Sequence, residues 1–413
     1  MFGRTTNKVI NKGVAILQGE RANNTWVKSQ NLNLVLNLIW ESSLVSRAEI
    51  SKKTGLSRST VSQLVSDLIQ TGVIEETGSG DSIGGRRPIL LQIKPEGRRI
   101  CAVHVDDGGQ IHAIVEDLLG NALNQSSAFV TEAGELLPTL KVMINDLLEN
   151  DLERVACIVL ALPGIISGDG RILSAVNLGW KDVPIGPELA INFAVPIFAE
   201  NATGLAAFGE LTARGLESRN LIYLRIGSAV GAGIVTYNQL HQGLRGSEAE
   251  IGHMVIDIKG KLCKCGRRGC LETKVSRAAV YQTVKDSLNS MGSELAQING
   301  ANVFEWLVGQ DAEERPLVRE ILTTIAQNVA VGIINVLNVI GTDSIVIQSK
   351  LCDSKTFWQV LNETVANEVL PFAQGGFELL RSILGETAIL KGATAYGRRH
   401  FFEQSRFSIE DYE

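Results

Sequence analysis

Residues 46–72, SRAEISKKTGLSRSTVSQLVSDLIQTG, contain two short helical patterns joined by a tight turn, and this spacing restricts the fold more than any other local feature. Ser46 and Glu49 have the spacing of a capping box that opens the first helix. Ser57 caps the second helix, whose apolar residues recur on one face. An apolar stripe within residues 32–40 supplies a third helix for packing. The pattern predicts a helix-turn-helix unit.

The residues after the second helix predict a wing, because strand-like segments at residues 73–77 and 89–93 flank a glycine-rich tip. In such a unit the second helix enters the major groove of DNA, and an arginine at the tip can enter the minor groove. The side chains expected to contact DNA are Ser57, Arg58, Ser59, Thr60, Ser62, Gln63, Arg86 and Arg87. The alternatives are an amphipathic helical hairpin without a role in DNA binding and, for the two tip arginines, a solvated turn.

The net charge changes along the chain. Residues 1–100 contain 14 Lys and Arg against 8 Asp and Glu, a net charge of +6, whereas the remaining residues carry 25 against 37, a net charge of −12. A basic module on an acidic body is typical of a nucleic-acid-binding domain fused to a second domain, although a solvated basic face gives the same count. We predict a winged helix-turn-helix domain over residues 1–97 and a second domain over residues 98–413.

The second domain has the pattern of a mixed α/β fold, in which strand-like segments such as residues 100–106 and 154–164 alternate with helical patterns such as residues 318–340. No internal repeat of fixed period is visible. No apolar run resembles a secretory leader or a bilayer span, so we expect a cytoplasmic protein without membrane contact. Three isolated cysteines fit reduced structural thiols: Cys101, Cys157 and Cys352.

The run CKCGRRGC, residues 263–270, holds three of the six cysteines. Three thiolates and one imidazole form a closed tetrahedral zinc site, and Gly266 and Gly269 let so short a loop curl around one ion. His253 lies ten residues earlier and can return as the fourth ligand. The predicted ligands are His253, Cys263, Cys265 and Cys270. Because no coordination position is left open, the Zn²⁺ is expected to be structural; free thiols without metal are the alternative.

Four segments resemble the ROK family of sugar kinases and sugar-responsive repressors: VDDGGQIHAIVED (105–117), ENATGLAAFGE (200–210), EIGH (250–253) and CKCGRRGCLE (263–272). The resemblance covers residues 98–400, and a preceding winged helix-turn-helix is the arrangement of the repressor branch. It implies an α/β, actin-like (ribonuclease-H-like) body with a sugar in the cleft between two lobes. Lobe one would comprise residues 98–198 and a C-terminal helix at 385–400, and lobe two residues 199–384. The family also uses the zinc ligand set given above.

The resemblance implies that sugar hydroxyls are bound by Asn201, Glu250, His253 and Glu272. Zinc would then fasten a sugar-facing loop, with one ring nitrogen of His253 on the ion and the other toward the ligand. For the two glutamates, plain surface carboxylates are the alternative. Arg267 and Arg268 are expected to lie solvated on the outside of this loop rather than on DNA.

The cleft departs from the pattern of an active kinase. In ROK kinases an aspartate base follows the asparagine matched by Asn201, and this chain has Ala202. Alanine cannot accept a proton, and losing a general base removes a factor of about 10²–10⁴ in rate. Gln110 replaces a threonine of the first phosphate loop, and Gln348-Ser349 replace a glycine pair, although residues 227–233 keep the shape of the second phosphate loop.

We therefore predict a sequence-specific DNA-binding regulator, a repressor of carbohydrate uptake or catabolism genes, and not an enzyme. Its expected partners are operator DNA, a sugar or phosphosugar effector, and a second copy of the chain in a homodimer or tetramer. One alternative is an ATP-dependent sugar kinase with an appended DNA-binding domain. Another is a DNA-binding regulator without an effector, because the carboxylate missing at Ala202 also weakens sugar binding.

Overall fold

The computed structural model describes residues 24–79, 87–149, 151–216, 219–243, 249–288, 298–371 and 375–404. Within these residues a small N-terminal module precedes a body of two lobes, each built on a five-stranded sheet. The division at residue 97 stays a proposal. A short 3-10 turn, Pro95–Gly97, precedes the first strand of the body.

The N-terminal module consists of α1 (Asn24–Ser42), β1 (Val45–Ser46), α2 (Arg47–Thr54), α3 (Arg58–Gln70), β2 (Ile74–Ser79) and β3 (Ile89–Ile93). Ser46 and Glu49 form the expected capping box on α2, and Ser57 caps α3 by accepting the N–H of Thr60. The strands pair antiparallel in the order β1-β3-β2. The predicted winged helix-turn-helix is confirmed; residues 80–86 of its wing tip, Arg86 included, lie outside the described residues.

Lobe one consists of β4 (Arg99–Val105), β5 (Gln110–Asp117), β6 (Ala122–Phe129), α4 (Ala133–Leu148), β7 (Val155–Leu162), β8 (Ile165–Ile166), β9 (Ile172–Ala175), β10 (Trp180–Val183), α5 (Ile185–Asn192) and β11 (Ile197–Asn201). The main sheet has the order β11-β7-β4-β5-β6, in which β4, β5 and β6 form an antiparallel meander and β7 and β11 are parallel to β4. Both faces of β4 are buried, since Cys101 and Val103 pack in the α4 core while Ile100 and Ala102 face the other lobe.

Lobe two consists of α6 (Ala202–Ala213), β12 (Leu221–Ile226), β13 (Val230–Thr236), β14 (Gln239–Leu240), α7 (Glu272–Val275), α8 (Arg277–Leu288), α9 (Val303–Asp311), α10 (Pro316–Val339), β15 (Ser344–Gln348), α11 (Lys355–Glu368) and β16 (Glu378–Arg381). Its sheet order, β14-β13-β12-β15-β16, repeats the pattern of lobe one: an antiparallel meander followed by two parallel strands. The two lobes thus share a topology, although the sequence shows no repeat.

The chain ends in α12 (Ala388–Gln404), which packs with α6 between the two sheets. A Cβ atom at Gly392 would lie 1.8 Å from the carbonyl oxygen of Leu205, so this close approach of α12 to α6 requires glycine. The far end of α12 reaches the N-terminal module, where Phe402 is fully buried in the module's own core. This helix therefore contacts both lobes and the module.

One described helix, α10, is long and apolar enough to cross a membrane, with a mean hydropathy of 1.4 over its most apolar window. Half of that window is buried inside lobe two, where α10 contributes residues such as Leu322 and Val329 to the core. A buried core helix passes the same length and composition test. The expected absence of membrane contact and the cytoplasmic location stay predictions.

Candidate functional site

A cleft of about 500 Å³ opens between the two lobes. Lobe one lines it with the ends of β4 and β7 and with the loop between β9 and β10, and lobe two lines it with the start of α6 and the turn between β12 and β13. The volume suits a small ligand. The predicted sugar-binding residues all line this cleft: Asn201, Glu250, His253 and Glu272.

Asn201 ends β11 and caps α6. Its side-chain oxygen accepts the backbone N–H groups of Thr203 at 2.8 Å and Gly204 at 3.2 Å. Its amide nitrogen donates to the carbonyl oxygen of Gly164 at 2.9 Å. An asparagine amide has two N–H donors, so one donor of Asn201 is left for a ligand hydroxyl.

Glu272 is the first residue of α7, and its Oε2 accepts the backbone N–H of Val230 at 3.0 Å. This bond fastens α7 to the glycine-rich turn between β12 and β13. The Nε2 atom of His253 lies 3.8 Å from Oε2 of Glu250, and its Nδ1 atom lies 3.6 Å from the sulfur of Cys263. The two ring nitrogens of His253 therefore point in different directions, one toward a thiol and one toward a carboxylate of the cleft.

Four donor atoms cluster beside the cleft, all within 4.8 Å of one another, and they belong to His253, Cys263, Cys265 and Cys270. The sulfurs of Cys265 and Cys270 are 3.6 Å apart. A tetrahedral zinc site with Zn–S bonds of ~2.3 Å has sulfur pairs ~3.8 Å apart, so the spacing fits one ion. Gly269 makes the loop possible, because its φ is 72° and a Cβ atom there would lie 1.5 Å from the carbonyl oxygen of Asp257. The donor set fits a tetrahedral metal ion.

The three thiols of this cluster differ in acidity. Burial raises the pKa of Cys270 to about 12 and also raises the pKa of Cys263. Burial acts in the same direction on Cys265, but hydrogen bonds from Arg267 and from the other two thiols lower its pKa to about 6.

Arg267 and Arg268 are both exposed, and Arg267 also lines the rim of the cleft. The isolated thiols Cys101 and Cys352 are buried, which raises the pKa of each to about 12.

The outer face of α3 carries the predicted DNA contacts. Ser57, Arg58, Ser59, Ser62 and Gln63 are exposed, as is Arg87 at the start of the returning strand, and Thr60 is half-buried. Residues on the opposite face, such as Val61 and Leu64, are buried. The hydroxyl of Ser57 lies 2.8 Å from that of Thr60, and Gln63 donates to Asp67 at 2.9 Å, so caps and local bonds already fix part of this surface.

The sequence profile of the ROK family matches residues 103–399, and that of a winged helix-turn-helix DNA-binding domain matches residues 30–75. The chain belongs to the ROK family. This ROK protein is 32% identical over 341 residues to the xylose repressor of Caldicellulosiruptor bescii, covering 79% of this chain and 85% of that protein. It is 28% identical over 396 residues to the xylose repressor of Bacillus subtilis, covering 92% and 98% of the two chains.

A crystal structure of a ROK family transcriptional regulator, a homolog of the E. coli MLC protein, has a TM-score of 0.80 to this chain. It is 24% identical and covers 92% of this chain and 98% of its own. The match confirms the actin-like two-lobed body with an N-terminal winged helix-turn-helix domain.

Of the positions at which this ROK protein departs from the kinase pattern, one is Ala202 and two hold glutamines that are hydrogen-bonded within the protein. Ala202 begins α6 and lines the cleft with 8% of its surface exposed. Gln110 donates to the carbonyl oxygen of Ala128 at 3.0 Å, and Gln348 donates to Glu386 at 2.8 Å. Neither glutamine side chain is left pointing free into the described cleft.

Sequence reasoning missed several polar residues that line the cleft of this ROK protein, among them His104, Asp107, Asn177, Arg225 and Lys264. His104 lies near the carboxyl end of β4. Burial together with the charge of Arg225 lowers its pKa to about 4, so it is neutral at pH 7. The available signal was position, because His104, Asp107 and Arg225 stand at or just past strand ends, where α/β folds place ligands.

Proposed function

We propose that this ROK protein is a DNA-binding, sugar-responsive repressor of carbohydrate uptake or catabolism genes. The observation that carries the proposal is the union, in one chain, of an exposed recognition helix α3 with a sugar-type cleft that has alanine at position 202. The similarity to xylose repressors supports it and makes D-xylose the first effector to test.

The charges of the cleft favour a neutral sugar over a phosphosugar. Four carboxylates line it: Asp106, Asp107, Glu250 and Glu272. Carboxylates accept hydrogen bonds from hydroxyls and repel phosphate. Three cations line the cleft: Arg225 lies 3.4 Å from Glu386, Lys264 donates to Asn177 at 3.2 Å, and Arg267 interacts with Cys265 at the rim. A polyhydroxyl ligand without charge suits this balance.

A zinc ion bound by the four-residue cluster would cross-link two parts of the cleft wall. The residues that would hold it are His253, Cys263, Cys265 and Cys270. The chemistry that the ion supplies is structural, because four protein ligands leave no position for a water. The cross-link joins the 250–253 turn to the 263–272 loop, and each of these segments presents one of the glutamates expected to bind sugar.

The helix α12 connects this cleft to the DNA-binding module. The hydroxyl of Tyr396 donates to Glu200, the residue before Asn201, at 2.8 Å. Burial raises the pKa of Tyr396, so the hydroxyl stays protonated and keeps donating. Lobe one contacts the same helix through the fully buried Glu116, whose carboxylate lies 2.6 Å from Lys391 and 3.2 Å from Arg398. Breaking such a pair would leave a buried charge, so α12 follows lobe one closely.

Sugar binding regulates the operator by moving α12. A ligand shifts a conformational equilibrium only through a difference in affinity between the two states, and a sugar that contacts both lobes binds the closed cleft better. Closure moves α6 and lobe one relative to each other, and α12 packs on both. In a homodimer the same motion changes the distance between two recognition helices, which must match half-sites about one helical turn of DNA apart.

The test is recovery of genomic DNA fragments by the purified protein, followed by titration of the recovered operator with D-xylose, D-glucose and N-acetylglucosamine. We expect sequence-specific binding that one sugar weakens by about 5- to 150-fold. Failure to select any sequence contradicts the DNA-binding role. Transfer of phosphate from ATP to one of the sugars at about one turnover per second or faster supports the kinase instead. Operator binding without heat on adding any sugar supports a regulator without effector.

A further inference from the structure

Loss of the carboxylate at position 202 leaves a sugar hydroxyl without its expected acceptor, and the described cleft contains a carboxylate that the family motifs do not assign. Asp107 lies on the turn between β4 and β5 and lines the same cleft as Ala202. Its neighbour Asp106 is occupied, because one carboxylate oxygen accepts the backbone N–H groups of Gly108 and Gln110, both at 2.8 Å. Asp106 therefore shapes the turn, and Asp107 presents its carboxylate to the cleft.

Asn177 lines the same cleft as Asp107, and its side-chain amide is bonded from the opposite lobe. Lys264, between two cysteines of the metal-type cluster, donates to the side-chain oxygen of Asn177 at 3.2 Å. That bond occupies the amide oxygen and leaves the NH₂ group of Asn177 as a donor; interaction with the Asn177 side chain is the smallest of the influences on the pKa of Asp107, and it lowers that pKa. The Asp107 carboxylate can accept several hydrogen bonds, and a ligand in the cleft can supply them.

The surroundings of Asp107 leave its negative charge poorly solvated. Burial is the largest influence and raises its pKa; the charges of Asp106 and Glu272 act in the same direction, and the charge of Arg225 opposes them. A desolvated carboxylate gains more from a new hydrogen-bond donor than a solvated one does. Glu272, a carboxylate expected to bind sugar, lines the same cleft as Asp107.

Asp107 belongs to lobe one, whereas most of the other expected sugar contacts belong to lobe two. Glu250, His253 and Glu272 all belong to lobe two, and Asn201 stands at the junction of the lobes. A ligand held by lobe two alone has no reason to prefer a closed cleft. A hydroxyl bound to Asp107 would link the ligand to the sheet of lobe one.

We propose that Asp107 replaces the carboxylate missing at position 202: it accepts a hydrogen bond from a hydroxyl of a neutral sugar and supplies a contact of the effector with the sheet of lobe one. This inference rests on the proposed sugar-responsive function and adds a residue to it. The carboxylate accepts a hydrogen bond without removing the proton, so no reaction follows from it.

The test is calorimetric titration of the full chain, as wild type and as Asp107→Asn, with D-xylose and its 2-, 3- and 4-deoxy analogues. Asp146→Asn, the same change at an exposed position of lobe one, is the matched control. We expect Asp107→Asn to bind D-xylose about 10- to 100-fold more weakly, the effect of losing a charge-assisted hydrogen bond. We also expect one deoxy analogue to bind wild type at least about tenfold more weakly than D-xylose does. This difference in affinity should vanish in Asp107→Asn.

Equal affinity of wild type and Asp107→Asn for D-xylose, or a deoxy penalty that survives in the variant, overturns the inference and leaves the proposed function standing. Should D-glucose or N-acetylglucosamine bind wild type in place of D-xylose, its deoxy analogues serve in the same comparison. If wild type binds none of the three sugars, the sugar-responsive part of the proposed function fails and the role of Asp107 fails with it. Operator affinity without sugar, measured on both variants, shows that neither change has unfolded the chain.

Discussion

The indole of Trp40 in α1 and the ring of Phe402 in α12 stack with their centroids 4.5 Å apart and their planes 13° from parallel. Phe402 comes from the last helix of the chain, yet it is fully buried among core residues of the N-terminal module. Leu118, which directly follows β5, enters the same core. The module and the body therefore share apolar packing, and a displacement of α12 changes contacts inside the DNA-binding unit.

Replacing Phe402 by alanine should separate sugar binding from operator binding. Removing a buried ring costs about 3–5 kcal/mol, and here the loss falls on the contact between module and body. We expect unchanged sugar affinity by calorimetry, weaker operator binding by fluorescence anisotropy, and no further effect of sugar on the operator.

Phe377→Ala, which removes a half-buried ring from lobe two, is the control for loss of an aromatic side chain. A double-mutant cycle with Trp40→Ala should give a coupling of about 0.5–1.5 kcal/mol, the usual value for an aromatic pair. Sugar-dependent release of the operator that persists in Phe402→Ala would show that the signal travels by another route.

The recognition helix offers a second prediction. Gln63 is exposed on α3, and an amide of this kind pairs with adenine in the major groove. Gln63→Ala should lower operator affinity by about 1–3 kcal/mol and relax the preference at a single base pair. Gln70→Ala, the same change at the exposed end of the helix, should leave binding unchanged. Binding of operator variants by fluorescence anisotropy distinguishes these outcomes, and an effect equal at every base pair would mean that Gln63 contacts phosphate instead.

The N-terminal module was predictable because its signals are local. Ser46 and Ser57 mark both helix starts, and the apolar spacing of α3 identifies its buried face. The edge strand β6 was not predicted, since its sequence ALNQSSAF has no alternation of apolar and polar residues and its side chains are almost all exposed. The short strands β8 to β10 were missed for a different reason, because two to four residues carry too little pattern.

The cleft was only partly predictable from sequence. The motif residues Glu250, His253 and Glu272 lie close together along the chain, so the resemblance alone placed them in one site. Asp107 and Arg225 come from different lobes and line one cleft only because the two sheets face each other across α6 and α12. Contacts made by topology, rather than by neighbours in sequence, leave no local signal.

The metal-type cluster gives a third prediction. If zinc cross-links the cleft wall, elemental analysis of the purified protein should find one zinc per chain, and Cys265→Ser should lose it together with sugar affinity. Cys265 is the right position because its thiol has the lowest pKa of the three and ionises most readily to a metal-binding thiolate. Cys352→Ala, a buried thiol outside the cluster, should keep the metal. Sugar binding that survives in a zinc-free Cys265→Ser protein would contradict the structural role.

The fourth prediction concerns catalysis. Neither wild type nor Ala202→Asp should transfer phosphate from ATP to a sugar in a coupled assay, since Gln110 and Gln348 still depart from the kinase pattern. Position 202 is the first residue of α6, where a carboxylate interacts favourably with the helix dipole. Ala202→Asp should therefore raise the free energy of unfolding by up to about 0.3–1 kcal/mol and unfold at an equal or higher temperature than wild type. Ala202→Asn controls for side-chain size. Measurable turnover by wild type would sink the regulator-only interpretation.

The last prediction is that the carboxylate of Asp107, which we propose binds the effector, lowers the stability of the folded protein. Burial, the largest influence, raises the pKa of Asp107 above its ordinary value of 3.8, so the folded state binds this proton more tightly than the unfolded state. The stabilisation from that proton is complete below the unfolded pKa and is lost as the pH rises through the folded pKa. Above the folded pKa the ionised Asp107 is therefore unfavourable, and Asp107→Asn should unfold at a higher temperature than wild type.

Differential scanning calorimetry of wild type, Asp107→Asn and the control Asp146→Asn, at pH 7 and over a series of lower pH values, tests this sign. The gain in Tm of Asp107→Asn should shrink as the pH falls through the folded pKa, because wild type recovers stability as Asp107 takes up its proton. Asp146 is exposed, so its variant should follow wild type at both pH values. A lower Tm for Asp107→Asn at pH 7 would mean that attraction to Arg225 outweighs burial, and that Asp107 stabilises the lobes instead of being held for a ligand. Residues kept at a cost in stability are the ones that function requires, so a higher Tm combined with weaker sugar binding would identify Asp107 as a binding residue.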